Sequence, residues 1–405
     1  MSNKEQETQA RTRDMDDIII EAKNVSKLYG SSKTEAVKLL AAGADKDEVY
    51  KKTGVIPALW DINFQVKRGE IFVIIGLSGS GKSTLIRCLN MLNRPTAGSI
   101  IFDNKDLSKL SKKELIEFRR TKVAMVFQSF GLMNHRDVIG NVAFGLEVRN
   151  VPRAEREQKA MEMVEMVGLG GMENQQISAL SGGMRQRVGI ARALTSDPEV
   201  MLMDEPFSAL DPLVRSDMQF ELLSIQRKLG KTIIFITHDI NEAFKLGDRV
   251  AIMRDGKIIQ VDVPERMSTN PADDYVKKFI EGVDKTKVFN VKHVMVKPAC
   301  IVRMKDSPDY AINLMRRNET SSAYVVDNTM GFSGIVTIDA ALRAINSGES
   351  ISHVMITDTP TIAQDEFISD ILPLAAEARF PLAVVDEENR LKGIVSRASV
   401  LSSLI

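Results

Sequence analysis

The 405 residues exceed what one hydrophobic core ordinarily organises, so at least two domains are expected. Lysine plus arginine and aspartate plus glutamate number 54 each, which excludes a bulk charge made for nucleic acid or an anionic surface. No run of 18 apolar residues predicts a membrane-crossing helix, and two cysteines, Cys88 and Cys300, give neither a disulfide framework nor zinc spacing and fit a reducing cytosol.

Residues 1–17 are polar and charged, without an apolar signal core, and read as a disordered tail. Residues 18–28 follow as a first strand and turn. A helix is expected over 34–53, with Val37, Leu40, Ala41 and Ala44 on one face and Gly54 as its stop. Residues 64–66 and 71–75 read as strands, and the second is continuously apolar, as burial on both faces requires. From Gly76 to about residue 240 strands and helices alternate, which predicts an α/β fold with a largely parallel core sheet. Residues 264–284 link this region to the rest.

Gly76-Leu77-Ser78-Gly79-Ser80-Gly81-Lys82-Ser83-Thr84 fits G-x-x-x-x-G-K-[ST] between an apolar strand and an apolar helix. Its glycines let backbone N–H groups turn inward around phosphate oxygens, and the helix presents its positive end to the anion. Lys82 is expected on the β- and γ-phosphates, Ser83 on Mg²⁺ and Thr84 behind the α-phosphate. Val200-Met201-Leu202-Met203-Asp204-Glu205 is a second buried strand ending in two acids. Asp204 is placed to hold the metal shell and Glu205 to act as general base on the attacking water. A second glycine-opened helix begins at Leu180-Ser181-Gly182-Gly183-Met184-Arg185-Gln186-Arg187 and runs to about Leu194. One nucleotide does not need two such anion-binding ends on one subunit.

The last 115 or so residues repeat. His293-Val294-Met295 recurs as His353-Val354-Met355, Val325-Val326-Asp327 as Val384-Val385-Asp386, and Gly334-Ile335-Val336-Thr337 as Gly393-Ile394-Val395-Ser396. Two copies of one small α/β unit, in the order strand, strand, helix, are expected to bury their faces together. The pair resembles tandem CBS modules.

The 180–187 motif resembles the signature of ABC ATPases, with Met184 where Gln is usual. That resemblance implies a P-loop ATPase domain with a helical subdomain. It also implies that Tyr29 stacks on adenine, that Gln128 contacts Mg²⁺ and water, that Ser208 to Asp211 cross a dimer interface, and that His238 is the switch histidine. The insert 34–54, the stretch Met125 to Arg136 and the CBS tail resemble the importer ATPases for glycine betaine, proline betaine and related osmoprotectants. Asn134 stands where those relatives usually carry Pro. The expected domains are an ATPase domain over 18–265, a linker over 266–288, and CBS modules over 289–347 and 348–405.

The resemblance further implies a head-to-tail homodimer with two ATP molecules between the chains, each site taking Ser181, Gly182 and Gly183 from the other chain. Integral-membrane permease subunits, fused to or working with a betaine-binding protein, are the implied partners, on the cytoplasmic face of the membrane. Residues 128–141 would carry motion to the permease. In the tail, an Asp three places after each Gly-Ile-Val-Thr/Ser usually marks adenine nucleotide binding. Here Ala340 and Ser399 hold those places, with Asp339 one position off. A cyclic dinucleotide at a CBS–CBS interface, or ionic-strength sensing through surface charge, are the tail roles the resemblance leaves. The tail carries 14 acidic and 11 basic residues, so any hold on anionic lipid would fall to a local cluster such as Lys292, Lys297, Arg303, Arg316 and Arg317. Two other readings stand beside this one: a soluble ABC ATPase acting on ribosomes or DNA, and an importer of another small solute. The complete set of ATP-site residues speaks against a module that senses nucleotide without hydrolysing it.

Overall fold

A computed structural model describes residues 17–404 of the chain. Apart from Asp17, the tail expected at 1–17 lies outside the described residues. The chain divides into two compact units between Gly282 and Val283.

The first unit is built on a six-stranded sheet. Its order is Lys257–Asp262, Arg249–Arg254, Ile71–Ile75, Thr232–Thr237, Val200–Asp204, Val123–Val126. All neighbours are parallel except the Lys257–Asp262 edge. Aliphatic and β-branched runs form the central strands because both faces are covered, and every residue of Ile71–Ile75, Val200–Asp204 and Thr232–Thr237 is buried.

A second, antiparallel sheet covers it, in the order Ile56–Lys67, Ile18–Tyr29, Ala97–Phe102, Lys105–Asp106. Only the end of Ile56–Lys67 was expected as a strand. Its alternation runs inward at Pro57 and Leu59, then at Ile62, Phe64 and Val66. The phase slips near Asp61, whose φ is 52° and where the pairing shifts register. Such a bulge conceals a strand from any period-2 reading. Leu59, Phe64, Phe72, Leu85, Phe118 and Ile236 pack between the sheets, with the Phe64 and Phe72 rings stacked at 5.2 Å.

The single helix expected over 34–53 is two, Lys33–Ala41 and Lys46–Thr53. Gly43 takes φ +91° between them, and the Asp45 carboxylate accepts the Glu48 N–H at 2.8 Å as N-cap of the second. Gly54 closes that helix in the left-handed conformation. Ala36, Leu40 and Val49 are buried against Leu28 and Val55, with Val37, Ala44 and Trp60 packed beside them. Ala41, expected on the packed face, is exposed. The break rotates the second half of the insert away from the stripe that a continuous helix would present.

In the second unit each copy contributes a three-stranded sheet. Ile301–Arg303 runs parallel to Ser322–Val326, which is antiparallel to Phe332–Thr337. The second copy repeats this with Thr361–Ala363, Leu382–Val385 and Leu391–Val395. Tyr324, Val326, Phe332, Ile335, Ala383 and Leu391 form a core shared by both copies. Reciprocal bonds cross between them: Ile335 with Ile356 (2.9 and 2.8 Å) and Val296 with Ile394 (3.0 and 2.8 Å). At Gly334 a Cβ would lie 2.5 Å from the Ile356 carbonyl, so the repeated Gly-Ile-Val requires glycine to admit the crossing segment.

Candidate functional site

The buried strand Ile71–Ile75 delivers the chain into the phosphate loop, and the helix Lys82–Leu89 leaves it. The turn tolerates no side chain at two of its glycines. A Cβ on Gly76 would meet the Met253 carbonyl at 2.3 Å, and one on Gly81 the Ala58 carbonyl at 2.5 Å. Lys82 is buried and donates to the carbonyls of Gly76 (2.7 Å) and Leu77 (3.2 Å). Burial lowers its ammonium pKa, opposed by Glu205 and Asp204.

Ser83 Oγ donates to Asp204 Oδ1 at 3.0 Å, joining the start of that helix to the end of Val200–Asp204. Arg87 reaches the other Asp204 oxygen at 4.0 Å. Burial raises the Asp204 pKa above the usual carboxylate range, and the Ser83 bond and Arg87 pull it back. Glu205 follows with φ +47°, a left-handed conformation uncommon for a residue with a side chain, while its N–H donates to the Ile236 carbonyl at 3.0 Å. Its Oε2 meets Gln128 Nε2 at 3.3 Å and His238 Nδ1 at 3.1 Å. Gln128 also reaches Ser208 Oγ at 3.4 Å. Strand ends distant in sequence thus converge on one carboxylate.

A cavity opens over this arrangement. It is lined by Ser78, Gly79, Gly81, Lys82, Ser83 and Thr84 of the loop and helix start, by Glu205 and His238 at strand ends, and by Lys46, Ile56, Pro57 and Ala58 of the insert and the strand after it. Gly76, Leu77 and Ser80 belong to the same loop, with Leu77 largely exposed and Ser80 buried. Tyr29 is not among the lining residues. Its hydroxyl accepts from Asn93 at 3.2 Å, and Lys27 lies 5.1 Å over its ring.

Ser181, Gly182 and Gly183 also stand outside the cavity of this single chain. Ser181 caps the helix Gly182–Thr195, accepting the Met184 N–H at 3.3 Å. Gly183 abuts the helix Pro212–Leu229, where a Cβ would meet Val214 at 2.7 Å. Asp211 caps that helix through the Val214 N–H at 3.1 Å.

Sequence reasoning missed Lys46, Ile56, Pro57 and Ala58, because the insert and the bulged strand hide their place beside the loop. It also missed Asn141, which is fully buried. The Asn141 amide accepts from Met133 N–H (2.8 Å) and donates to the carbonyls of Met133, Arg136 and Asp137 at 3.1, 3.3 and 2.9 Å. An Asn inside a short apolar segment was the only available signal.

The ABC transporter family matches residues 59–208, and the CBS domain family matches 291–347 and 351–405. The glycine betaine transport ATP-binding protein OpuAA of Bacillus subtilis is 46% identical, over 96% of this chain and 92% of its own. The glycine betaine/carnitine transport ATP-binding protein GbuA of Listeria monocytogenes is 45% identical, over 95% of this chain and 97% of its own. Among solved structures, the dimeric post-hydrolysis state of the ATP-binding cassette MJ0796, bound to ADP and Pi, aligns with a TM-score of 0.52 at 32% identity. That alignment spans 61% of this chain and 99% of the cassette. The chain therefore belongs to the ATP-binding subunits of ABC transporters, in the group of the glycine betaine transport ATP-binding proteins, with a tandem CBS pair behind its ATPase domain.

Proposed function

We propose that this ABC transport ATPase energises uptake of glycine betaine or a related quaternary ammonium osmoprotectant, with Glu205 as the general base of hydrolysis. The observation that carries the catalytic assignment is the convergence of Gln128 and His238 on the Glu205 carboxylate beside the phosphate loop. The relatives' glycine betaine and carnitine transport supports the substrate class.

Lys82 binds the β- and γ-phosphates of ATP, leaving the loop carbonyls that hold it now. Ser83 and Asp204 offer a hydroxyl and a carboxylate 3.0 Å apart, an all-oxygen pair that would hold Mg²⁺. Gln128 is the third proposed contact. Mg²⁺, when bound, neutralises charge developing on the phosphates. Glu205 takes a proton from the attacking water, and His238 and Gln128 hold its carboxylate in place.

The separation of Ser181, Gly182 and Gly183 from the cavity supports a head-to-tail homodimer in which they meet the nucleotide of the other chain, with Asp211 crossing between chains. Tyr29 is proposed as the adenine contact once Lys27 yields its ring face. Residues 128–141 engage the permease at the cytoplasmic face of the membrane. Among the described residues no helix is long and apolar enough to cross a membrane. The CBS pair is the regulatory tail. A cyclic dinucleotide is its proposed ligand, supported by a cleft in which Arg379 lies 5.3 Å over the Phe380 ring; Ser399, whose hydroxyl is engaged with Ser396, stands where an Asp usually marks adenine nucleotide binding.

Purified Glu205→Gln is expected to retain ATP affinity, to dimerise with ATP and to lose turnover by roughly 100-fold or more. Hydrolysis at the wild-type rate in that variant removes Glu205 from the mechanism. ATP-driven uptake of labelled glycine betaine by the reconstituted complex tests the substrate.

A further inference from the structure

The cavity has one cation that neither the phosphate-loop motif nor the signature accounts for. Lys46 opens the second insert helix and lines the wall facing the loop. The wall is firmly placed. Val49 on the same helix is fully buried against Leu28 and Val55, and the Ala58 carbonyl lies only 2.5 Å from where a Cβ on Gly81 would fall.

The position suits Lys46 poorly by its own contacts. A cation in the first turn opposes the helix dipole. Asp45, directly before it, is engaged as the N-cap. No carboxylate lies within ion-pair distance of Lys46 among the described residues, and the negative charges that attract it are Asp255, on the hairpin turn, and Asp47, beside it. Half-burial holds its ammonium below the ordinary lysine pKa. A partly desolvated ammonium without a close partner, on the wall of a polyphosphate site, is a charge waiting for an anion.

We propose that Lys46 is a second phosphate-binding cation of the ATP site, supplied by the insert in addition to Lys82. The proposal rests on reading the cavity as the ATP site. It gives the insert a function: the second helix carries a charge to the cavity that Glu205 and His238 also line, so nucleotide affinity is set partly by a segment outside the phosphate loop.

The test uses the full chain and fluorescent ATP and ADP analogues, with wild type, Lys46→Ala, Lys46→Arg, Lys46→Glu and Lys82→Ala. Lys46→Ala is expected to raise Kd and KM for ATP about 5- to 10-fold with kcat within about twofold, the scale of one charge-assisted contact. Lys46→Arg is expected to bind within about twofold of wild type and Lys46→Glu more weakly than Lys46→Ala. The difference is expected to shrink between about 0.05 and 0.5 M salt. Wild-type affinity in Lys46→Ala and Lys46→Glu overturns the proposal. So does equal loss in Lys46→Ala and Lys46→Arg, or loss that tracks a lowered melting temperature. If Lys82→Ala binds ATP as wild type does, the ATP-site reading itself fails; if only Lys82→Ala loses affinity, Lys46 alone is refuted.

Discussion

Glu205 occupies a backbone conformation that most side chains avoid, and the residues around it show what the strain achieves. The left-handed turn ends the buried strand and brings the carboxylate to Gln128 and His238. Removing either partner frees the carboxylate to rotate while leaving the phosphate loop and Lys82 in place. Gln128→Ala and His238→Ala are each expected to lower single-turnover hydrolysis by roughly 100-fold while nucleotide titrations stay near wild type. Unaltered single-turnover rates in both would mean that Glu205 needs no help. Much of this was legible in advance. The phosphate loop and the acidic strand end were readable from their motifs and apolar strands, while Gln128 and His238 were brought to the site by the resemblance to ABC ATPases. Lys46 was not legible, because a lysine in a charged helix looks solvated until the fold puts a cavity beside it.

The elements divide by how locally they are specified. Ile71–Ile75 and Thr232–Thr237 declare themselves by unbroken apolar runs. Ile56–Lys67 does not, because a bulge near Asp61 resets its alternation. The insert reads as one helix because Val37, Leu40, Ala41 and Ala44 share a helical face, although Asp45 and Glu48 spell a fresh start three residues apart. The segment before the helix Val138–Val142 has no regular pattern and is held by the Asn141 side chain instead. Asn141→Ala is expected to destabilise the ATPase unit by roughly 2–3 kcal/mol, the cost of stranding buried carbonyls and an N–H. Hydrogen exchange should rise over residues 133–137, and ATP affinity should hold. Unchanged exchange there would show that the loop is organised by something else.

At the scale of the molecule, the repeat of about 60 residues gave away the duplicated tail, yet the sequence spacing could not reveal how the copies join. Their shared core draws Tyr324, Phe332 and Ile335 from one and Ala383 and Leu391 from the other. Neither copy covers that face alone. A fragment of residues 283–405 is expected to melt in one cooperative transition, whereas residues 283–347 should show no cooperative melting and should bind a hydrophobic dye. A cooperative transition in the shorter fragment would refute the shared-core account.

The reciprocal stitching at Ile335–Ile356 and Val296–Ile394 has a mechanical corollary. Each half is laced to its twin by a thread from the segment that precedes its own first strand. The two halves are therefore tied to each other twice, and separating them would break both reciprocal pairs.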